Sequence, residues 1–101
     1  MGLQPGKAPM VGRIETYIHS DRITANKGGA LIRVQSDTDF AAKTPQFVEF
    51  AGLAAKSAFA AQAESWEDVV IAFPHVEETR EALEKKLKEK IIVDRIAILV
   101  L

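Results

Sequence analysis

The stretch Ala30-Leu-Ile-Arg-Val-Gln-Ser-Asp-Thr-Asp-Phe-Ala-Ala-Lys-Thr-Pro45 contains a change of period, and that change decides the fold class. Ala30 to Gln35 is rich in β-formers and reads as a strand. Helical signals take over after Ser36. Asp37 or Thr38 can accept hydrogen bonds from the free N–H groups of a first helical turn, and Asp39 suits the positive end of the helix dipole. Pro45 disfavours the α conformation at Thr44, so a helix over Thr38–Lys43 stops or kinks there. Thr44 as cap and Pro45 at the first helical position then begin a second, longer helix. Its stripe of Phe47, Phe50, Ala51, Ala54, Ala58 and Ala61 predicts close packing through small side chains.

Upstream, Val11–His19 is β-rich, with Ile14, Tyr17 and Ile18 available for packing. Tyr17 and His19, two residues apart, share one face of that strand. Ser20–Gly29 has turn chemistry at both ends, and the Gly28-Gly29 pair offers positive φ. Ala30–Gln35 is therefore the return strand of a hairpin with a long connection. Residues 1–10, with two Gly and two Pro, read as an extended or disordered lead-in. Downstream, Trp66–Phe73 reads as a short helical turn or an irregular segment. Val76–Lys90 is a helix with Val76, Leu83, Leu87 and Ile91 on its buried side. The spacings Glu81–Lys85 and Glu84–Lys88 predict exposed ion pairs worth about 0.3–0.5 kcal/mol each. Ile91–Leu101 is a third strand, covered on at least one face. The order β-β-α-α-β predicts an α+β fold in one domain over residues 11–101: a three-stranded antiparallel sheet with helices packed on one face.

Composition narrows the function. With 101 residues, 48% hydrophobic and 27% charged, the chain has the composition of one globular domain. Thirteen basic against fourteen acidic side chains leave a formal charge of −1. That balance gives no electrostatic footprint for nucleic acid. The apolar run Ile96–Leu101 is far shorter than the roughly 20 residues a bilayer requires. Residues 1–10 lack the layout of a signal peptide. Zero cysteines and two histidines argue against a disulfide framework or a zinc site.

No serine has a nucleophile elbow and no glycine-rich phosphate loop is present, so neither acyl transfer nor standard nucleotide binding is indicated. Asp37 and Asp39 could be an acid pair, but as neighbours at a helix start they are more simply caps. The lysines of Lys85–Lys90 read as a solvated helix face, and His19 as structural. Phe40 has two readings. It staples the helix start to the core, or it projects on a stub that Pro45 cuts short, as a rigid aromatic for protein docking. From the residues alone the staple ranks first.

Ser36-Asp-Thr-Asp-Phe-Ala-Ala-Lys43 resembles the Thr-Asp-Phe-Val-Ala-Arg/Lys signature of translation elongation factor Ts. Tyr17-Ile18-His19 is similar to that family's Tyr-Ile-His strand end. Lys86-Leu-Lys-Glu-Lys-Ile-Ile-Val-Asp-Arg95 resembles its Lys-Ile-Gly-Glu-Asn-Ile-x-Ile/Val-Arg-Arg segment. The resemblance implies an elongation factor Ts dimerisation-domain-like fold and a protein that binds elongation factor Tu and promotes GDP release. It implies no covalent chemistry, no cofactor, a cytoplasmic location and a homodimer joined through sheets. It implies neither direct nucleic-acid binding nor a membrane partner. On this resemblance Phe40 is the wedge, Thr38 and Asp39 form its knuckle, Leu87 and Lys88 form a second contact, and His19 touches Tu from elsewhere.

The chain departs from the pattern in several places. Ten residues before Val11 leave no room for the family's N-terminal helical domain. Lys88 stands where the family has Gly, and Lys90 where it has Asn. With Lys88 inside a helix, Lys88→Gly would cost about 1 kcal/mol of helix propensity. These departures suit a divergent or virus-encoded version, acting in its host's cytoplasm. The alternative function is a dimeric structural or tethering module that binds Tu or another partner without exchange.

Overall fold

The structure is a computed structural model and describes residues 11–101; the lead-in expected over 1–10 lies outside them. Strands β1 (Val11–His19) and β2 (Gly28–Ser36) pair antiparallel, from Val11 opposite Ser36 to His19 opposite Gly28. Strand β3 (Ile92–Val100) pairs antiparallel with the other edge of β2, giving the order β1-β2-β3. Between β2 and β3, among the described residues, run α1 (Asp39–Ala42), α2 (Pro45–Ala61), α3 (Trp66–Ala72) and α4 (Pro74–Leu87). This is the α+β architecture that the sequence predicts.

Alternation along β2 sends Ala30, Ile32 and Val34 into the core, where Val93 and Ile96 of β3 join them. Helix α2 answers with Phe47, Phe50, Ala51, Ala54 and Ala58, all buried. Full burial of Phe47 alone is worth about 1.5–3 kcal/mol. Val69, Val76, Leu83 and Ile91 close the core under α3 and α4. The start of α2 is the one the sequence signals. The hydroxyl of Thr44 accepts from the Phe47 N–H at 3.2 Å, and Pro45 occupies the first turn of α2.

Several expectations need correction. Strand β2 begins at Gly28, and neither Gly28 nor Gly29 has positive φ; that conformation falls to Asn26 (φ 51°). The two glycines serve close packing instead. A Cβ on Gly28 would lie 2.9 Å from the Phe59 ring, and one on Gly29 would lie 2.7 Å from the Tyr17 carbonyl oxygen. Trp66–Ala72 is a true helix, capped by Ser65 on the Asp68 N–H. Helix α4 starts at Pro74 and stops at Leu87, short of the expected Lys90. Lys88 therefore lies outside it, in the left-handed conformation (φ 58°) that ends the helix. Glu84 pairs with Arg80 at 2.7 Å rather than with Lys88, and the structure forms no Glu81–Lys85 ion pair.

The sheet face away from the helices is open. Ile14 and Ile18 project there, 55% and 58% exposed, and so does Leu31, while Tyr17 turns inward onto Phe59. A bulge in β3 opposite Arg33 and Val34 leaves Asp94 unpaired in the register. Its carboxylate accepts both Arg33 Nε (2.8 Å) and Nη2 (2.7 Å), and also Gln35. That pairing holds Asp94 below the usual carboxylate range, against the opposing effect of burial. The open face thus has an apolar half near the hairpin and a charged half near Gln35.

Candidate functional site

At the Ser36 end of β2 the chain turns sharply into α1, a single helical turn. Thr38 caps it in the extended conformation (φ −129°), its hydroxyl accepting the Ala41 N–H at 3.2 Å. Ala41 and Ala42 face the core and are buried. Phe40 points the other way and is 80% exposed, so the staple reading favoured by the residues alone is overturned. The large ring sits on a short stub between a capped start and Pro45. Asp39 pairs with Lys43 at 3.0 Å on the exposed surface, a contact of little energetic weight.

A second segment, the turn from α4 into β3, abuts this stub. The Glu89 carboxylate accepts the N–H groups of Asp37 (3.1 Å) and Thr38 (3.0 Å), and the Thr38 hydroxyl (2.5 Å). In return, the Asp37 carboxylate accepts the Lys90 N–H at 2.9 Å. Residues about fifty positions apart are thereby clasped to one another. The reading of Asp37 and Asp39 as caps gives way here, because Asp37 serves the distant Lys90 and the cap is Thr38.

The turn has its own anchor. Arg80 donates to the Ile91 carbonyl at 2.9 Å, while Glu84 accepts the Ile91 N–H at 2.9 Å. Arg80 is held in turn by Glu77, to which Trp66 Nε1 also donates at 2.8 Å. The Arg80 hydrogen bonds lower the Glu77 carboxyl below its ordinary range, burial opposes, and Trp66 lowers it further.

Of the residues singled out in the sequence, Thr38, Asp39, Phe40, Leu87 and Lys88 gather at this corner. Leu87 is half-buried against the core and Lys88 is exposed. His19 is not among them. It lies at the other end of β1, eight pairs along the ladder, roughly 27 Å away at strand rise. There its Nδ1 meets the Tyr17 hydroxyl at 2.9 Å and its ring stacks on Phe59, 5.0 Å between centroids. Sequence reasoning missed Glu89. Its signals were a carboxylate between two lysines and a match to the Glu of the resembled Lys-Ile-Gly-Glu-Asn segment, but the bonds its carboxylate makes are all non-local.

The corner combines an exposed aromatic, a polar clasp that holds its stub, and a turn with Lys88 and Lys90 exposed. Among the described residues no group of His, Asp and Glu is placed to hold a metal ion, and no helix is long and apolar enough to cross a membrane.

The chain is 35% identical over 88 residues to elongation factor Ts of Corynebacterium kroppenstedtii, covering 84% of the chain and 32% of that protein. The chain is similar to elongation factor Ts. A second elongation factor Ts, from Bifidobacterium adolescentis, is 42% identical over 57 residues, 56% of the chain and 20% of its own length. The chain thus spans a third or less of these two elongation factor Ts proteins. No protein-family model matches it. The likeness to elongation factor Ts agrees with the resemblance drawn from the motifs around Phe40 and Leu87.

Proposed function

We propose that residues 11–101 form an elongation factor Ts-like core domain that binds elongation factor Tu in the cytoplasm and promotes GDP release. The observation that carries this is Phe40, 80% exposed on a short stub capped by Thr38 and followed by Pro45. An exposed rigid aromatic supplies apolar contact area with little entropy to lose, which is what an interface hot spot needs. Thr38 and Asp39 hold the knuckle, Leu87 and Lys88 give a second contact on the same side, and His19 touches the partner from the far end of the sheet.

No covalent step is required, so the activity is that of a non-covalent exchange factor. A protein that binds nucleotide-free Tu more tightly than GDP-bound Tu lowers GDP affinity by the same factor, as linkage demands. The apolar half of the open sheet face supports a homodimer joined through sheets. Thr16, Ile18, Gly29, Leu31, Ala97 and Leu99 line a shallow groove there. That same face favours a second reading, in which the chain is a dimeric tethering module and Tu or another protein is held without exchange.

Capture of purified bacterial Tu on the immobilised chain tests the reading. Retention of Tu by the wild type, with much weaker retention by Phe40→Ala, is the expected result. Equal retention by both, or none by either, contradicts it.

A further inference from the structure

We infer that Glu89, supported reciprocally by Asp37, is a positioning residue that locks the Phe40 knuckle to the α4–β3 turn as one preformed docking surface. The inference rests on the docking role proposed above for Phe40. A helix of four residues has no stability of its own, since the first turn fixes several dihedrals for a single hydrogen bond. Phe40 adds no packing, being exposed. What orders α1 is therefore its buried Ala41 and Ala42, the Thr38 cap and the clasp. Three donors converge on the one Glu89 carboxylate, and one of them is the capping hydroxyl itself. Glu89 thus orients the group that starts the helix carrying Phe40.

The clasp lies at the surface, whereas the segments it joins are secured independently by buried Val34, Ala42 and Ile91. Its chief effect is local order, which binding would otherwise have to supply. Because Glu89 follows Lys88 directly, the same bonds fix the turn that carries the second contact relative to the first. Neither contact alone sets that spacing.

A double-mutant cycle tests this, with bacterial Tu as the probe and dissociation constants as the readout. Glu89→Ala is expected to weaken binding about tenfold in the wild-type background and not at all in the Phe40→Ala background. Glu89→Gln should stay within about threefold of wild type, because an amide oxygen still accepts both backbone N–H groups. Equal weakening by Glu89→Ala in both backgrounds, or none in the wild-type background, overturns the clasp and leaves the Phe40 reading standing. If Glu89→Ala unfolds the chain, the clasp is structural and the inference fails. Failure of the wild type to bind Tu, or full binding by Phe40→Ala, removes the functional reading and this inference with it.

Discussion

Two residues at the docking corner have opposite thermodynamic characters. Phe40 makes almost no contact with its own fold, so its truncation should change stability by no more than about 0.5 kcal/mol, as at other exposed positions. Its loss from an interface should cost about 2 kcal/mol or more of binding. Urea unfolding and Tu titration of Phe40→Ala measure the two separately, and a stability loss of about 3–5 kcal/mol would make the residue core instead. Lys88 is the reverse case. Its side chain is free, but its backbone is left-handed (φ 58°), which costs a residue with a Cβ about 1 kcal/mol relative to Gly. Lys88→Gly should therefore raise stability by about 1 kcal/mol, read as a higher urea midpoint with unchanged slope. The expectation from sequence, with Lys88 inside the helix, had the opposite sign. If the smaller residue also lets Tu approach more closely, exchange activity and stability rise together.

At the scale of elements, α4 is tied to α3 and β3 by one polar chain. Trp66 and Arg80 meet on Glu77, and Arg80 with Glu84 holds both backbone groups of Ile91. The Glu77 carboxyl is lowered in the fold from its ordinary value of 4.5. A carboxyl whose folded value is depressed stabilises the fold above its unfolded value, and that contribution disappears as pH falls through the folded value. Unfolding free energy should therefore be level above about pH 5 and decline below it. Glu77→Gln should flatten part of that decline, and an unchanged acid limb would contradict the coupling. Much of this element structure is legible locally. Thr38, Thr44 and Pro45 act on their own neighbours, so the starts of α1 and α2 follow from adjacent residues. Staple and knuckle, in contrast, share one local sequence around Phe40. Only the position of α1 at the edge of the core decides between them. The clasp joins Thr38 to Glu89, and Gly28 is needed for the Phe59 ring above it; both depend on contacts that the chain order does not display.

For the molecule as a whole, the two ends of the sheet differ in character. The Ser36 end carries the clasped knuckle, while the hairpin end carries the apolar half of the open face, with Leu99 80% exposed. Covering that half with a second copy would leave Phe40 free on both protomers. Light scattering is expected to give twice the 11.1 kDa of one chain, and Leu31→Lys should return the mass to that of the monomer. A constant monomer mass across micromolar concentrations would leave the open face without this partner. A homodimer of this kind would present two Phe40 corners, and the activity proposed for them is release of GDP. The most direct measurement is the rate at which labelled GDP leaves bacterial Tu with the wild-type chain, with Phe40→Ala, and with no addition. Acceleration by the wild type that Phe40→Ala abolishes is the expected result. A rate with the wild-type chain equal to that of Tu alone would contradict exchange activity and leave only a binding or tethering role.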